Sequence, residues 1–201
     1  MALSPDTVKA YFEPLAKNYG KRSERGAWSY LRKIEVKAVE HALGDLQGAR
    51  AIDLGCGAGY YTKLLAKGNV LELVAVDFTP GMNAVAAMDK VENICADATK
   101  MSLGRRFNRL VAAGILEFIP EPVELLKNAR RHADDGAVLI LLIPRKSLLA
   151  KGYQIFHMSH GLNVHIFSPK TIRDLAAKAG WRVDVLRKAG LFSTVVRLIA
   201  Q

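Results

Sequence analysis

Ala51-Ile52-Asp53-Leu54-Gly55-Cys56-Gly57-Ala58-Gly59-Tyr60 runs from an apolar stretch through alternating glycines into an amphipathic segment. That order implies a strand, a tight turn and a helix, because glycine lets the backbone turn sharply and leaves no side chain to hold a ligand away. The third glycine of the dinucleotide fingerprint would fall at Tyr60, so nicotinamide and flavin ligands lose ground. No G-x-x-x-x-G-K-[ST] stretch is present, which removes the P-loop. Asp53, two residues ahead of the first glycine, would repel a pyrophosphate and suits a ligand carrying a cation or an amino group.

Working outward, short runs rich in Val, Ile and Leu alternate with amphipathic stretches, the pattern of a parallel sheet with helices between its strands. Strands are expected at Arg50-Asp53, Leu73-Asp77, Asn93-Ala96, Arg109-Ala113, Ala137-Ile143, Trp181-Arg187 and Thr194-Ala200. Helices are expected at Tyr60-Lys67, Pro80-Lys90, Pro122-Ala133 and Pro169-Ala179, with Gly68, Gly136 and Gly180 near or beyond their ends. The early strands show almost no polar alternation, so helices should cover both faces. The connection Lys188-Phe192 is too short for a crossover, which makes the last two strands antiparallel. Before residue 49 the chain reads as a helical cap, Pro5-Tyr19 and then Ser29-Leu43, on a single domain spanning residues 1–201.

The segment Asp53-Leu54-Gly55-Cys56-Gly57-Ala58-Gly59 resembles the first motif of class I S-adenosylmethionine-dependent methyltransferases. That resemblance implies a three-layer Rossmann-like α/β fold, its mostly parallel seven-stranded sheet ending in an antiparallel hairpin, and S-adenosylmethionine as cofactor. Further matches extend it. Asp77 closes the second strand about 20 residues after the loop, where an acid can accept both ribose hydroxyls. Phe78-Thr79-Pro80-Gly81-Met82 resembles the turn whose apolar residues flank the adenine, and Cys95-Ala96-Asp97-Ala98 the segment at the adenine edge. Cofactor contacts are therefore expected from Asp53, Gly55, Cys56, Gly57, Gly59, Asp77, Phe78, Met82, Asp97, Ala98, Gly114 and Tyr19. Two departures stand out: Phe107-Asn108-Arg109 replaces the usual Phe-Asp, and Leu116-Glu117-Phe118 replaces Leu-Glu-His. Any role of that His is lost here, and without an Asn-Pro-Pro-Tyr-like segment base methylation in DNA is not expected.

A sulfonium methyl is already activated, so transfer mostly requires alignment and exclusion of water. A weakly acidic acceptor would also need a base. Candidates are Glu117 and the histidines of the Lys146-Ser168 connection, His157, His160 and His165, beside Tyr153 and Phe156. No carboxylate lies near those histidines, so a metal is not expected. Glu117 reads equally as a lid over the site or as a helix-start residue before Pro120. Cys56 reads as a small residue in a tight turn. Tyr11, Tyr19 and Trp28 in the cap, with Tyr153 and Phe156, are candidate substrate contacts.

The chain carries a net charge of +10, with local clusters at Lys21-Arg22, Arg105-Arg106-Arg109, Arg130-Arg131 and Arg145-Lys146. A basic surface attracts anionic partners without choosing among them. The first residues lack the pattern of a secretion signal and no apolar run is long enough to span a bilayer, so a cytoplasmic location is expected. Oligomeric state is not legible. The expected function is O- or N-methylation of a small molecule; the alternatives are an RNA methyltransferase and a catalytically silent S-adenosylmethionine-binding protein.

Overall fold

The computed structural model describes residues 3–16, 26–86 and 88–201. Tyr19 lies outside the described residues, as does the side chain of Trp28. The strands β1 (Arg50–Leu54), β2 (Glu72–Asp77), β3 (Glu92–Cys95), β4 (Phe107–Ala113), β5 (Ala133–Pro144), β6 (Trp181–Ala189) and β7 (Ser193–Ala200) form one sheet in the order β3-β2-β1-β4-β5-β7-β6. The first five pair in parallel, and β7 runs antiparallel between β5 and β6.

Period-two alternation divides the apolar residues between two faces. Leu139, Leu141 and Ile143 of β5 join one core cluster, in which Leu125, Leu126, Ile172 and Ala176 come from α5 (Pro122–Arg131) and α7 (Pro169–Lys178). Val138, Ile140 and Leu142 face the other, where Val39 and Leu43 of α2 (Gly26–Leu43) and Leu65 of α3 (Tyr60–Ala66) cover them. The double covering explains why these strands read as continuous apolar runs. Polar atoms inside the first cluster are paired: Trp181 Nε1 donates to the Leu126 carbonyl at 2.9 Å, and Asn128 Nδ2 donates to the Ala98 and Met101 carbonyls.

The expected cap divides into two unlike parts. α2 is a layer helix, held by Arg187 and Arg197 side chains that donate to its Ala38 and Ala42 carbonyls at 3.2 and 3.0 Å. α1 (Pro5–Phe12), capped by Ser4, ends earlier than the expected Tyr19. Pro14 has no N–H to continue the α register, and the chain tightens into a 3₁₀ turn at Glu13–Leu15. α4 (Pro80–Ala86) is also shorter than expected. α5 stops at Arg131 because Ala133 is drawn into the sheet opposite Phe107. The connection after β5 contains a helix that periodicity did not reveal, α6 (Leu148–Ser159). Among the described residues no helix is long and apolar enough to cross a membrane.

Candidate active site

The sheet order reverses between β1 and β4, and the crevice at the carboxyl ends of those strands is where an open α/β sheet takes its ligand. A cavity of about 910 Å³ opens there, near the top of the roughly 300–1,000 Å³ range of small-molecule sites. Its floor is the glycine turn. The Gly55 and Cys56 N–H groups donate to the Val76 carbonyl at 2.8 and 3.0 Å, which ties the turn to β2. Gly55 holds φ +71°, and a Cβ there would sit 2.5 Å from Ile115 Cδ1. At Gly57, φ is +52° and a Cβ would meet nothing within 4 Å. The first glycine is thus dictated by packing, while the second opens its face to the cavity.

Asp77 lines the cavity and anchors the turn from the neighbouring strand. Its carboxylate accepts from the Gly57 N–H at 3.0 Å and the Thr79 N–H at 2.8 Å. Burial raises its pKa, and these two donors oppose the shift. Phe78, Met82, Asp97 and Ala98 border the same space, as do Cys56 and Gly114. One Asp97 carboxylate oxygen accepts from the N–H and hydroxyl of Thr99. Burial pushes the Cys56 thiol well up, so it is no thiolate nucleophile.

Two residues expected as cofactor contacts do not line the cavity. Asp53 does not line the cavity. It shares a face of β1 with Ala51, so its side chain points under α3, where it is 1% exposed and accepts from the Thr62 hydroxyl at 2.6 Å. Burial lifts its pKa to about 7. Gly59 is likewise off the wall: it starts α3 at φ +77°, and a Cβ there would press on Ala86 Cα at 3.2 Å. Both hold the turn in place from behind.

The other half of the cavity is aromatic. Tyr11 and Phe12 of α1, Phe118, and Tyr153, Phe156 and His157 of α6 line it together. The rings of Tyr11, Phe118, Tyr153 and Phe156 surround the His157 imidazole with centroids 4.4–5.8 Å away, mostly edge to face. Burial lowers the His157 pKa to about 4, and its Nδ1 has no hydrogen-bond partner. Glu117, on the 3₁₀ turn Leu116–Phe118 after β4, also lines the cavity. It is 3% exposed, its Oε2 is unpartnered, and burial raises its pKa to about 8. It is thus both a cavity-lining residue and part of a short helical turn before Pro120.

The remaining histidines do not line the cavity. His160 is exposed at the end of α6, its Nδ1 2.8 Å from the Phe156 carbonyl. His165 donates its backbone N–H to the Glu117 carbonyl at 2.9 Å, and its ring stacks on Phe167. No group of three or more His, Cys, Asp or Glu among the described residues is placed to hold a metal.

Other wall residues escaped the sequence reading. Leu31, Arg32 and Glu35 reach in from α2, and Phe192 and Ser193 from the start of β7. The Ser193 hydroxyl donates to Glu35. No local signal marks them, because they meet only through the insertion of β7 beside β5. Glu13, behind α1, accepts from the Gly81 N–H at 3.3 Å and ties the cap to the turn after β2.

A methyltransferase-domain family matches residues 10–186. Malonyl-[acyl-carrier protein] O-methyltransferase of Bacillus cytotoxicus is 29% identical over 134 residues, 59% of this chain and 47% of that protein. Ubiquinone biosynthesis O-methyltransferase of Coxiella burnetii is 26% identical over 153 residues, 73% of this chain and 63% of that protein. The chain thus spans about half to two-thirds of the length of these curated relatives. Magnesium protoporphyrin IX methyltransferase of Synechocystis PCC 6803, crystallised with bound SAH, superposes with a TM-score of 0.78 at 18% identity, covering 98% of this chain and 100% of that one. At that identity the likeness is one of fold.

Proposed function

The chain belongs to the methyltransferase-domain family, and we propose that it transfers a methyl group from S-adenosylmethionine to the oxygen or nitrogen of a small-molecule acceptor. One observation carries the reading: a single cavity joins the glycine turn and Asp77 to an aromatic enclosure containing Glu117 and His157. A cavity of this size and mainly apolar lining fits a metabolite better than an RNA strand, which needs a basic groove.

The residues present fit the cofactor. The open face of Gly57 leaves room for its amino-acid part, the cavity-lining Asp77 carboxylate can accept from a ribose diol, and Phe78 and Met82 offer apolar flanks to a base beside Asp97 and Ala98. When bound, S-adenosylmethionine supplies a methyl already activated by positive sulfur. The protein's own task is then positioning and exclusion of water. Tyr11, Phe118, Tyr153 and Phe156 form an apolar enclosure that holds an acceptor without competing for its proton. Glu117 is the group able to take that proton. A carboxyl with pKa about 8 is a stronger base than an ordinary one, and its unpartnered Oε2 belongs to a cavity-lining side chain. The His157 imidazole, neutral at working pH, accepts a hydrogen bond from the acceptor rather than its proton.

Calorimetric titration with S-adenosylhomocysteine tests the cofactor half. Micromolar binding is expected, weakened roughly tenfold or more in Asp77→Asn because a charge-assisted hydrogen bond is lost. Wild-type protein that gives no heat at millimolar ligand overturns the proposal. Binding without transfer to any member of a panel of phenols, carboxylates and amines would identify a silent binder instead.

A further inference from the structure

α6 does more than line the cavity. Its inner face carries Tyr153 and His157, while Lys151, Ile155 and Met158 follow one another at i, i+4 and i+7 on the outer face. Ile155 is 67% exposed and Met158 56%, and Phe156, which also lines the cavity, is 54% exposed between the two faces. Leu191, 60% exposed in the β6–β7 turn, stands at the same sheet edge, where Arg145 donates its N–H to the Phe192 carbonyl. These apolar side chains face water, and Phe156 among them also lines the cavity.

The segment that carries α6 is basic. Residues 136–173 contain no Asp or Glu, and they include Arg145, Lys146, Lys151, Lys170 and Arg173. On α1, which packs against α6 through Tyr11 and His157, Asp6 and Lys9 offset one another. A helix with a strip of exposed apolar side chains, carrying Lys151 and set in a segment without acids, has the makeup of one that lies in the headgroup layer of a bilayer. Anionic lipid complements both parts: phosphate for the basic segment, acyl chains for the strip.

We propose that the outer face of α6 docks on an anionic membrane surface, with Ile155 and Met158 entering the headgroup layer. The mouth of the cavity then opens at the lipid boundary through Phe156, so a lipophilic acceptor can pass from bilayer to enclosure without crossing water. Docking is independent of the transferase reading and is measured without any acceptor.

Flotation of the full chain with vesicles tests the proposal. Binding is expected to vesicles of phosphatidylglycerol and phosphatidylethanolamine, with little to phosphatidylcholine alone. The double variant Ile155→Ser, Met158→Ser should bind at least about tenfold more weakly, because two buried apolar side chains are lost from the contact. It should melt like wild type, since both side chains are exposed in the free protein. Lys151→Glu should also weaken binding, and more so at low salt. The proposal is overturned if wild type does not float, or if the double variant floats equally and net charge alone is acting. It is also overturned if sedimentation shows a dimer that the double variant dissociates, because a second copy then covers the face. Titration with S-adenosylhomocysteine on the same samples keeps a docking failure distinct from a failure of the cofactor site.

Discussion

Glu117 is held in an unfavourable state by its surroundings: a carboxyl with one oxygen unpartnered, in a wall of Phe118, Tyr153 and Phe156. Burial without a partner is costly, and such strain persists where it serves a site. Glu117→Gln should lower kcat/KM by about 100-fold, the lower end of what a general base contributes. Its melting temperature at pH 8 should stay at or above that of wild type, since the amide has no charge to bury. Unimpaired turnover in a folded Gln variant removes the base. The acids at 53 and 77 were legible from spacing because turn and strand end are each contiguous in sequence. The alternation that turns Asp53 under α3, onto Thr62, follows from its parity with Ala51 and was available to the same reasoning. The enclosure of Glu117 was not, because it depends on the connection between α6 and α7 that carries His165 to its carbonyl.

Among the elements, the strands were legible because helices cover both faces, leaving each one an uninterrupted apolar run between glycine or proline signals. α6 was hidden by the same logic inverted. It buries Tyr153 and His157 on one side and shows Ile155 and Met158 on the other, so no stripe separates its faces. α1 is the element whose motion should matter. It is held by Glu13, which accepts from the Gly81 N–H, by rings that meet His157 and Phe118, and by Val8 in a small cluster with Leu162 and Val164. Hydrogen exchange in residues 5–15 should slow at least about tenfold on addition of S-adenosylhomocysteine, as the cap closes over an occupied floor. Glu13→Ala should reduce that protection while leaving β4 and β5 unchanged. Equal exchange with and without ligand shows that α1 is a fixed wall and no lid.

At the scale of the whole molecule, the buried ionisable groups set how stability depends on pH. The folded pKa of Asp53 is raised from 3.8 to about 7, and that of Glu117 from 4.5 to about 8. Between those limits the unfolded chain has released protons that the native state still holds, so stability falls as pH rises. The contribution is complete below about pH 4 and lost by about pH 8; Asp77, also raised, acts with the same sign. His157 opposes them. Its folded pKa is lowered from 6.5 to about 4, so in that interval the unfolded chain binds more protons and stability rises with pH. Three raised acids against one imidazole leave a net decline up to pH 6.5, and above it the acids act alone and the decline steepens. Each uncompensated proton contributes a slope of about 1.4 kcal/mol per pH unit. Urea unfolding between pH 5 and 8 should therefore show a falling free energy, steepest near pH 7, that Asp53→Asn and Glu117→Gln each flatten. A positively charged ligand reverses part of this trend, because it favours the ionised acids. At one fixed ligand concentration, the thermal shift produced by S-adenosylmethionine should then be larger at pH 8 than at pH 6, a rise that neutral-sulfur S-adenosylhomocysteine should not match. A shift that is constant across that range would mean that neither carboxyl senses the sulfonium, and Glu117 would then lie outside its reach.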